Sequence, residues 1–380
     1  MYVASVGAYV YIKGGSLCPR STPKPPAGGA AAVSSDTDAS TTHQLRRARV
    51  SIGFPGGYPS SLHIILELIR LWGLHREISQ SVCQSASLRI NRLHGPGSNL
   101  LLLMNNINFP IAGTSGVTGI DPSLQSCYLS LNQALAERSA NTLRPPPMLR
   151  ITGTGHDLNI LHRTGDRLFK FAQLLGLRFQ FNSVLILNDD PSWIAANLHS
   201  MVTILPNEAL AVNCMLYLHR LLKDDSIDLR LFLHNIKALN PTVVTVAERE
   251  ANHNHPLFLQ RFVEALDYYT GVFDSLEATL PPNSGERLAM EQIWFGREIV
   301  DIVAAEGENR RERHERLETW EVILRSSGFS NVALSPFAHS QAKLLLRLHY
   351  PSEGYQLQVH NNCFFLGWQH RPLFSVSSWH

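Results

Sequence analysis

From about residue 123 to the end, apolar positions recur at regular helix and strand spacings, whereas the first third of the chain shows little of this order. Residues 149–152 (LRIT) read as a short strand. Gly153 and Gly155 then turn the chain into a helix over 157–175, with Leu168, Phe171, Ala172 and Leu175 on one stripe. Gly176 suits the left-handed position that follows a last helical turn. Downstream, 177–181 (LRFQF) reads as a strand, and a helix over 207–222 places Leu210, Cys214, Leu218 and Leu222 on one face. A second helix over 226–239 has Asp228 in its first turn and Leu229, Phe232, Leu233 and Ile236 on one side. The β-branched run 242–247 (TVVTVA) predicts a buried strand, and helices follow around 258–277, 286–305 and 312–326. The chain closes with YQLQVHN and CFFLGW, joined at Asn361 and Asn362, and with LFSVSSW, which read as antiparallel strands. Strands alternating with helices predict an α/β fold, its parallel sheet covered on both faces.

The beginning of the chain is different. Residues 1–60 are rich in Pro, Gly, Ser, Thr and Ala and predict a disordered tail, because they bring too little apolar surface to offset the entropy of ordering. Within it, Arg46, Arg47 and Arg49 form either a minimal nuclear-import patch or a solvated charge run. Residues 61–120 form an atypical segment with one amphipathic helix over 61–93, carrying Leu62, Ile65, Leu68, Ile69 and Trp72. A helix at 130–141 is stopped by the prolines of RPPPM.

Composition narrows the class. With 380 residues, 44% hydrophobic and 17% charged, the chain can bury one large core or two modest ones, and its net charge of +2 gives no global field for nucleic acid. Five scattered cysteines without a CxxC pair fit a reducing compartment. No run of 18 apolar residues predicts a membrane helix, and residues 1–12 lack the positive flank of a signal peptide.

Few residues point to chemistry. The GTG of 153–155 lacks the third glycine of a dinucleotide loop and reads as a helix-capping turn. Asp189 and Asp190 are placed either to contact a ribose or, more simply, to form a turn before Pro191. His253 and His255 have a spacing compatible with a metal but no third ligand close by in sequence, so no metal site is expected. The run ENRRERHER at 308–316 reads as a solvated face that begins a helix. Leu218, Leu221 and Leu222 spell LxxLL, a motif for insertion into a partner's groove whose leucines also fit a core stripe.

The order of four tracts, RITGTGHDL, LAVNCMLYLHRLL, NPTVVTVAEREANHNHP and FFLGW with SVSSW, resembles the plant GRAS family of transcriptional regulators, in particular the subgroup around Lateral suppressor. The family's tract of a Pro, a Phe-Tyr unit and an Arg-Glu unit is matched by Pro241, by Phe262 with Tyr268 and Tyr269, and by Arg297 with Glu298. Its closing tryptophans and glycine are matched by Trp320 with Gly328, and by Trp368 and Trp379. The resemblance implies a Rossmann-like, methyltransferase-type core in which these motif residues are mainly structural. It also implies a nuclear, non-enzymatic regulator without a cofactor that contacts other transcription factors or co-regulators, reaches DNA through a partner or else by direct sequence-specific contact, and acts in axillary meristem initiation and shoot branching. A methyltransferase-like enzyme or small-molecule binder using the same crevice is the alternative. The family's first leucine-rich region and first strand have no clear counterpart, so residues 121–380 read as an N-terminally incomplete GRAS domain. Either LLLLM at 100–104 replaces the missing strand or the sheet lacks it.

Overall fold

The computed structural model describes residues 99–104 and 148–380, apart from 156, 187–190, 207, 283–286, 289 and 350–352. The chain divides into the units Met1–Ser60 and Ser61–His380, and all described residues belong to the second. The expected tail with its arginine patch, the helices at 61–93 and 130–141, and Asp189 with Asp190 therefore lie outside the described residues.

Among the described residues, an eight-stranded sheet runs in the order β3-β2-β1-β4-β5-β8-β7-β6. Its parallel part comprises β1 (Asn99–Met104), β2 (Met148–Gly155), β3 (Arg178–Leu185), β4 (Glu208–Met215) and β5 (Val243–Arg249). The antiparallel part comprises β6 (Tyr355–His360), β7 (Cys363–Trp368) and β8 (Arg371–Trp379), with β8 pairing against β5. LLLLM thus takes the central place among the five parallel strands. Leu102 stands opposite Ile151 of β2 on one side and Ala211 of β4 on the other, so both edges of β1 are bonded.

Helices cover both faces: α1 (Leu158–Leu174), α2 (Pro191–Met201), α3 (Ile227–Ala238), α4 (Phe258–Thr279), α5 (Gly296–Ala304), α6 (Leu317–Ser326) and α7 (Pro336–His349). One core joins Leu149, Ile151, Leu161, Leu168, Tyr268, Leu276 and Trp368. The other joins Leu210, Val212, Cys214, Phe232, Trp320 and Trp379. The predicted stripe of α3 is fully buried, with Leu229, Phe232, Leu233 and Ile236 all at 0% exposure. Asp157 caps α1 by accepting from the amides of Asn159 and Ile160 at 2.8 and 3.2 Å. Gly176 and Gly328 end α1 and α6 with φ of +67° and +86°, and the amides of Leu177 and Phe329 reach back to Ala172 and Leu324. Asn361 and Asn362, with φ of 48° and 64°, make the tight turn between β6 and β7.

Several expectations are corrected. Residues 207–222 are not a helix: Glu208–Met215 is β4, and Leu218–Leu221 is a single 3₁₀ turn. Residues four apart share a face in a strand as well as in a helix, so Leu210 and Cys214 could not discriminate between the two. GTG is not a separate capping turn, because β2 continues through Gly155. The helix expected over 312–326 begins at Leu317, and the segment before it is an extended strap with Arg310, Glu312, Arg313 and His314 buried, not a solvated face. The helix expected over 286–305 contains a π-helical turn at Met290–Phe295 before α5, and α7 was not foreseen.

Candidate functional site

In an open parallel sheet, ligand sites form outside the carboxyl ends of the strands. Here β4 and β5 end in a buried polar cluster made by their own following residues and by the 310–316 strap. Beyond β4, the amides of Tyr217 and Leu218 donate to Glu248 Oε1 at 3.0 and 2.7 Å. The same carboxylate accepts from His219 Nδ1 through Oε2 at 2.7 Å. On its other side, His219 Nε2 lies 3.1 Å from Glu312 Oε2, whose partner oxygen accepts from Arg220 at 3.2 Å. His314 Nε2 lies 3.3 Å from the same Glu312 oxygen, while its Nδ1 meets His253 Nδ1 at 2.9 Å.

The four ionisable groups are driven to different states. Burial opposes the charge on His219, but Glu248 and Glu312 more than offset it and raise its pKa to about 9. Burial, with Arg249 adding repulsion, lowers His253 to about 3. Burial and the neighbouring His219 hold His314 well below the ordinary histidine range. Burial would raise Glu312, yet Arg220, His219 and His314 hold it well below the carboxylate range. The cluster is thus a cationic His219 between two carboxylates, flanked by two neutral imidazoles.

The strap is fixed along its length. Arg313 donates to Asp224 at 2.9 Å, to Asn254 Oδ1 at 3.0 Å and to the Gly307 carbonyl at 2.7 Å. The amides of His253 and Asn254 both donate to the His314 carbonyl. Sequence reading missed His219, Glu248, Glu312 and His314 because their partners are distant in sequence. The fold brings His314 to His253 from 61 residues away, a pairing that leaves no local signal in the sequence. His255 is not part of the cluster; its carbonyl accepts from Arg261 at 3.1 Å.

The family-motif residues form a second network beside the first. Arg249, at the end of β5, pairs with Glu298 at 2.5 Å, and Tyr269 donates to Glu298 at 2.9 Å. Tyr268 lies 3.5 Å from Arg249 and donates to the Leu373 carbonyl at 2.9 Å. Pro241 is buried, and its carbonyl lies 3.2 Å from the His380 ring. Trp320 and Trp379 are buried at 1% and 0% exposure in one core, and Trp368 packs edge-on against Tyr355 in the other. Leu218, Leu221 and Leu222 are buried at 0–3%, inside the core. Two motif residues lie outside these networks: Arg297 is exposed, and Phe262 is 40% exposed. Phe262 belongs to an apolar surface stripe on α4 with Phe258, Leu259, Val263 and Leu266, which are 50–69% exposed.

Comparison with known proteins agrees with this architecture. Residues 119–380 match the GRAS domain family. The chain is 54% identical to Scarecrow-like protein 18 of Arabidopsis thaliana over 268 residues, 70% of this chain and 60% of that protein. It is 45% identical to Protein MONOCULM 1 of Oryza sativa subsp. japonica over 269 residues, 66% of this chain and 60% of that protein. The crystal structure of SCL7 in Oryza sativa superposes with a TM-score of 0.67 at 30% identity, covering 84% of this chain and 83% of that one. The chain belongs to the GRAS family, plant transcription regulators that act in development. It spans about three-fifths of the length of these two curated relatives.

Proposed function

We propose that the protein is a nuclear transcriptional regulator that works through protein contacts and reaches DNA through a partner, with a role in axillary meristem initiation and shoot branching. The observation that carries this reading is the contrast inside the family tract. Tyr268, Tyr269 and Glu298 are committed to a buried network, while Phe262 stays at the surface in a stripe of apolar residues. A contiguous apolar patch on a helix is a recognised mark of a protein-binding surface. The Phe258 and Phe262 rings stack at 5.9 Å, and the buried Arg261 guanidinium lies 5.7 Å from the Phe258 ring, so the stripe rests on a fixed base. The ends of β4 and β5 are filled by the protein's own histidines and carboxylates.

The test tethers the full chain to a promoter through a heterologous DNA-binding domain in plant protoplasts. The wild-type protein should change reporter expression. The double variant Phe262→Asp, Leu266→Asp should lose that effect while keeping its melting transition, since both positions are exposed. A wild-type chain without effect on the reporter, or a folded double variant with full effect, would overturn the proposal.

A further inference from the structure

Three donor atoms converge where the strap crosses the ends of β4 and β5. His219 Nε2 and His314 Nε2 stand 3.1 and 3.3 Å from Glu312 Oε2, and all three lie within 4.8 Å of one another. Two zinc ligands at about 2.0–2.2 Å from a tetrahedral ion are separated by about 3.4 Å, so the short pairs already have the spacing of a ligand set. The donors are sequestered, with side-chain exposures of 2% for His219, 11% for Glu312 and 0% for His314. His314 Nε2 is fully buried and lies 3.3 Å from the Glu312 oxygen, a contact outside strict hydrogen-bond geometry.

The surrounding groups complete the pattern. A ligating histidine normally donates its other ring nitrogen to a carboxylate or similar acceptor, which fixes the ring and its tautomer. Glu248 does this for His219 Nδ1, itself held by two backbone amides. His253 stands against His314 Nδ1, and Arg220 holds the outer oxygen of Glu312. Each of the three donors therefore has its remote atom engaged and its near atom turned inward.

We propose that His219, His314 and Glu312 bind a divalent cation of the zinc type, with Glu248, His253 and Arg220 as supporting residues. Two imidazoles and one carboxylate suit zinc better than magnesium or calcium, which prefer all-oxygen sets. The ion replaces the proton that His219 Nε2 otherwise directs at Glu312. Its effect is structural: it ties the 310–316 strap, and with it the start of α6, to the ends of β4 and β5. Because the site is closed, the cation enters during folding or through opening of the strap.

The experiment uses the purified full chain, stripped with a chelator and titrated with zinc alone. One equivalent should bind and raise the melting temperature, and X-ray absorption of the zinc-loaded wild type should show two imidazoles with oxygen. His314→Phe and Glu312→Gln should each abolish binding of that equivalent, and Glu248→Gln should weaken it about 10- to 100-fold. Zinc lost on gel filtration, a coordination shell containing sulfur or fewer than two imidazoles, or full binding by folded His314→Phe and Glu312→Gln would overturn the proposal. The absorption measurement needs no variant, so it decides even where a substitution prevents folding.

Discussion

The Arg249 guanidinium and the Glu298 carboxylate meet at 2.5 Å with both side chains buried, joining the end of β5 to α5. Burial works against the arginine's charge, but Glu298, Tyr268 and Tyr269 more than offset it and hold its pKa above the usual range. Removing one partner of a buried pair leaves the other charge uncompensated, at a cost of about 3–5 kcal/mol. Glu298→Ala should lower stability by about that amount in urea titration. Tyr269→Phe removes one hydrogen bond to the same carboxylate and should cost less, about 1.5–3 kcal/mol. A Glu298→Ala loss below about 1 kcal/mol would show that the pair does not form.

The two closing tryptophans should act independently. Trp379 is buried beside Trp320 in one core, its Nε1 donating to Ser377 at 2.9 Å, while Trp368 stands in the other core over Gly354. Each Trp→Ala change should cost about 3–5 kcal/mol, a large share of the roughly 5–15 kcal/mol that holds an ordinary domain together. Because they stand in separate cores, the two losses should add to within about 0.5 kcal/mol in a double-mutant cycle. Strong coupling would place the residues in a common core. A Trp368→Ala protein with unchanged melting would make that side chain dispensable to the fold.

Glu250 predicts a pH dependence. Its carboxylate receives the Leu317 amide at 3.1 and 3.2 Å and so caps α6, yet burial raises its pKa from 4.5 to about 7. A carboxyl raised on folding contributes stability that is full below its unfolded pKa and is lost as pH rises through its folded one. This share of stability should therefore fall between about pH 4.5 and about pH 7. Glu250→Gln should flatten that part of the melting-temperature profile relative to wild type. An unchanged profile would mean that the carboxyl titrates normally.

What the sequence revealed was local. The β-branched run of β5, the stripe of α3, the glycine ends of α1 and α6 and the Asn361–Asn362 turn all rest on neighbours within a few residues, and they stand as read. The same spacing logic failed at β4, where burial on both faces erases the difference between strand and helix periods. It failed again at the strap. Glu312 and His314 read as solvated charges because the groups that satisfy them, His219 and His253, lie 93 and 61 residues away. Pairing of that kind leaves no local period. The family tract was visible, but its division into buried Tyr268, Tyr269 and Glu298 and outward Phe262 and Arg297 required the fold.

The polar cluster, the strap and the display of α4 all depend on one sheet whose centre is supplied by residues 99–104, a segment outside the span that matches the family. Hydrogen–deuterium exchange on the full chain tests that directly, because a strand bonded on both sides protects its amides until the sheet opens. The amides of 100–104 should exchange as slowly as those of Leu210–Cys214 in β4 and Val243–Ala247 in β5, between which and β2 the sheet is continuous. Exchange of 100–104 at the rate of an unprotected peptide, with β4 and β5 still protected, would contradict the account.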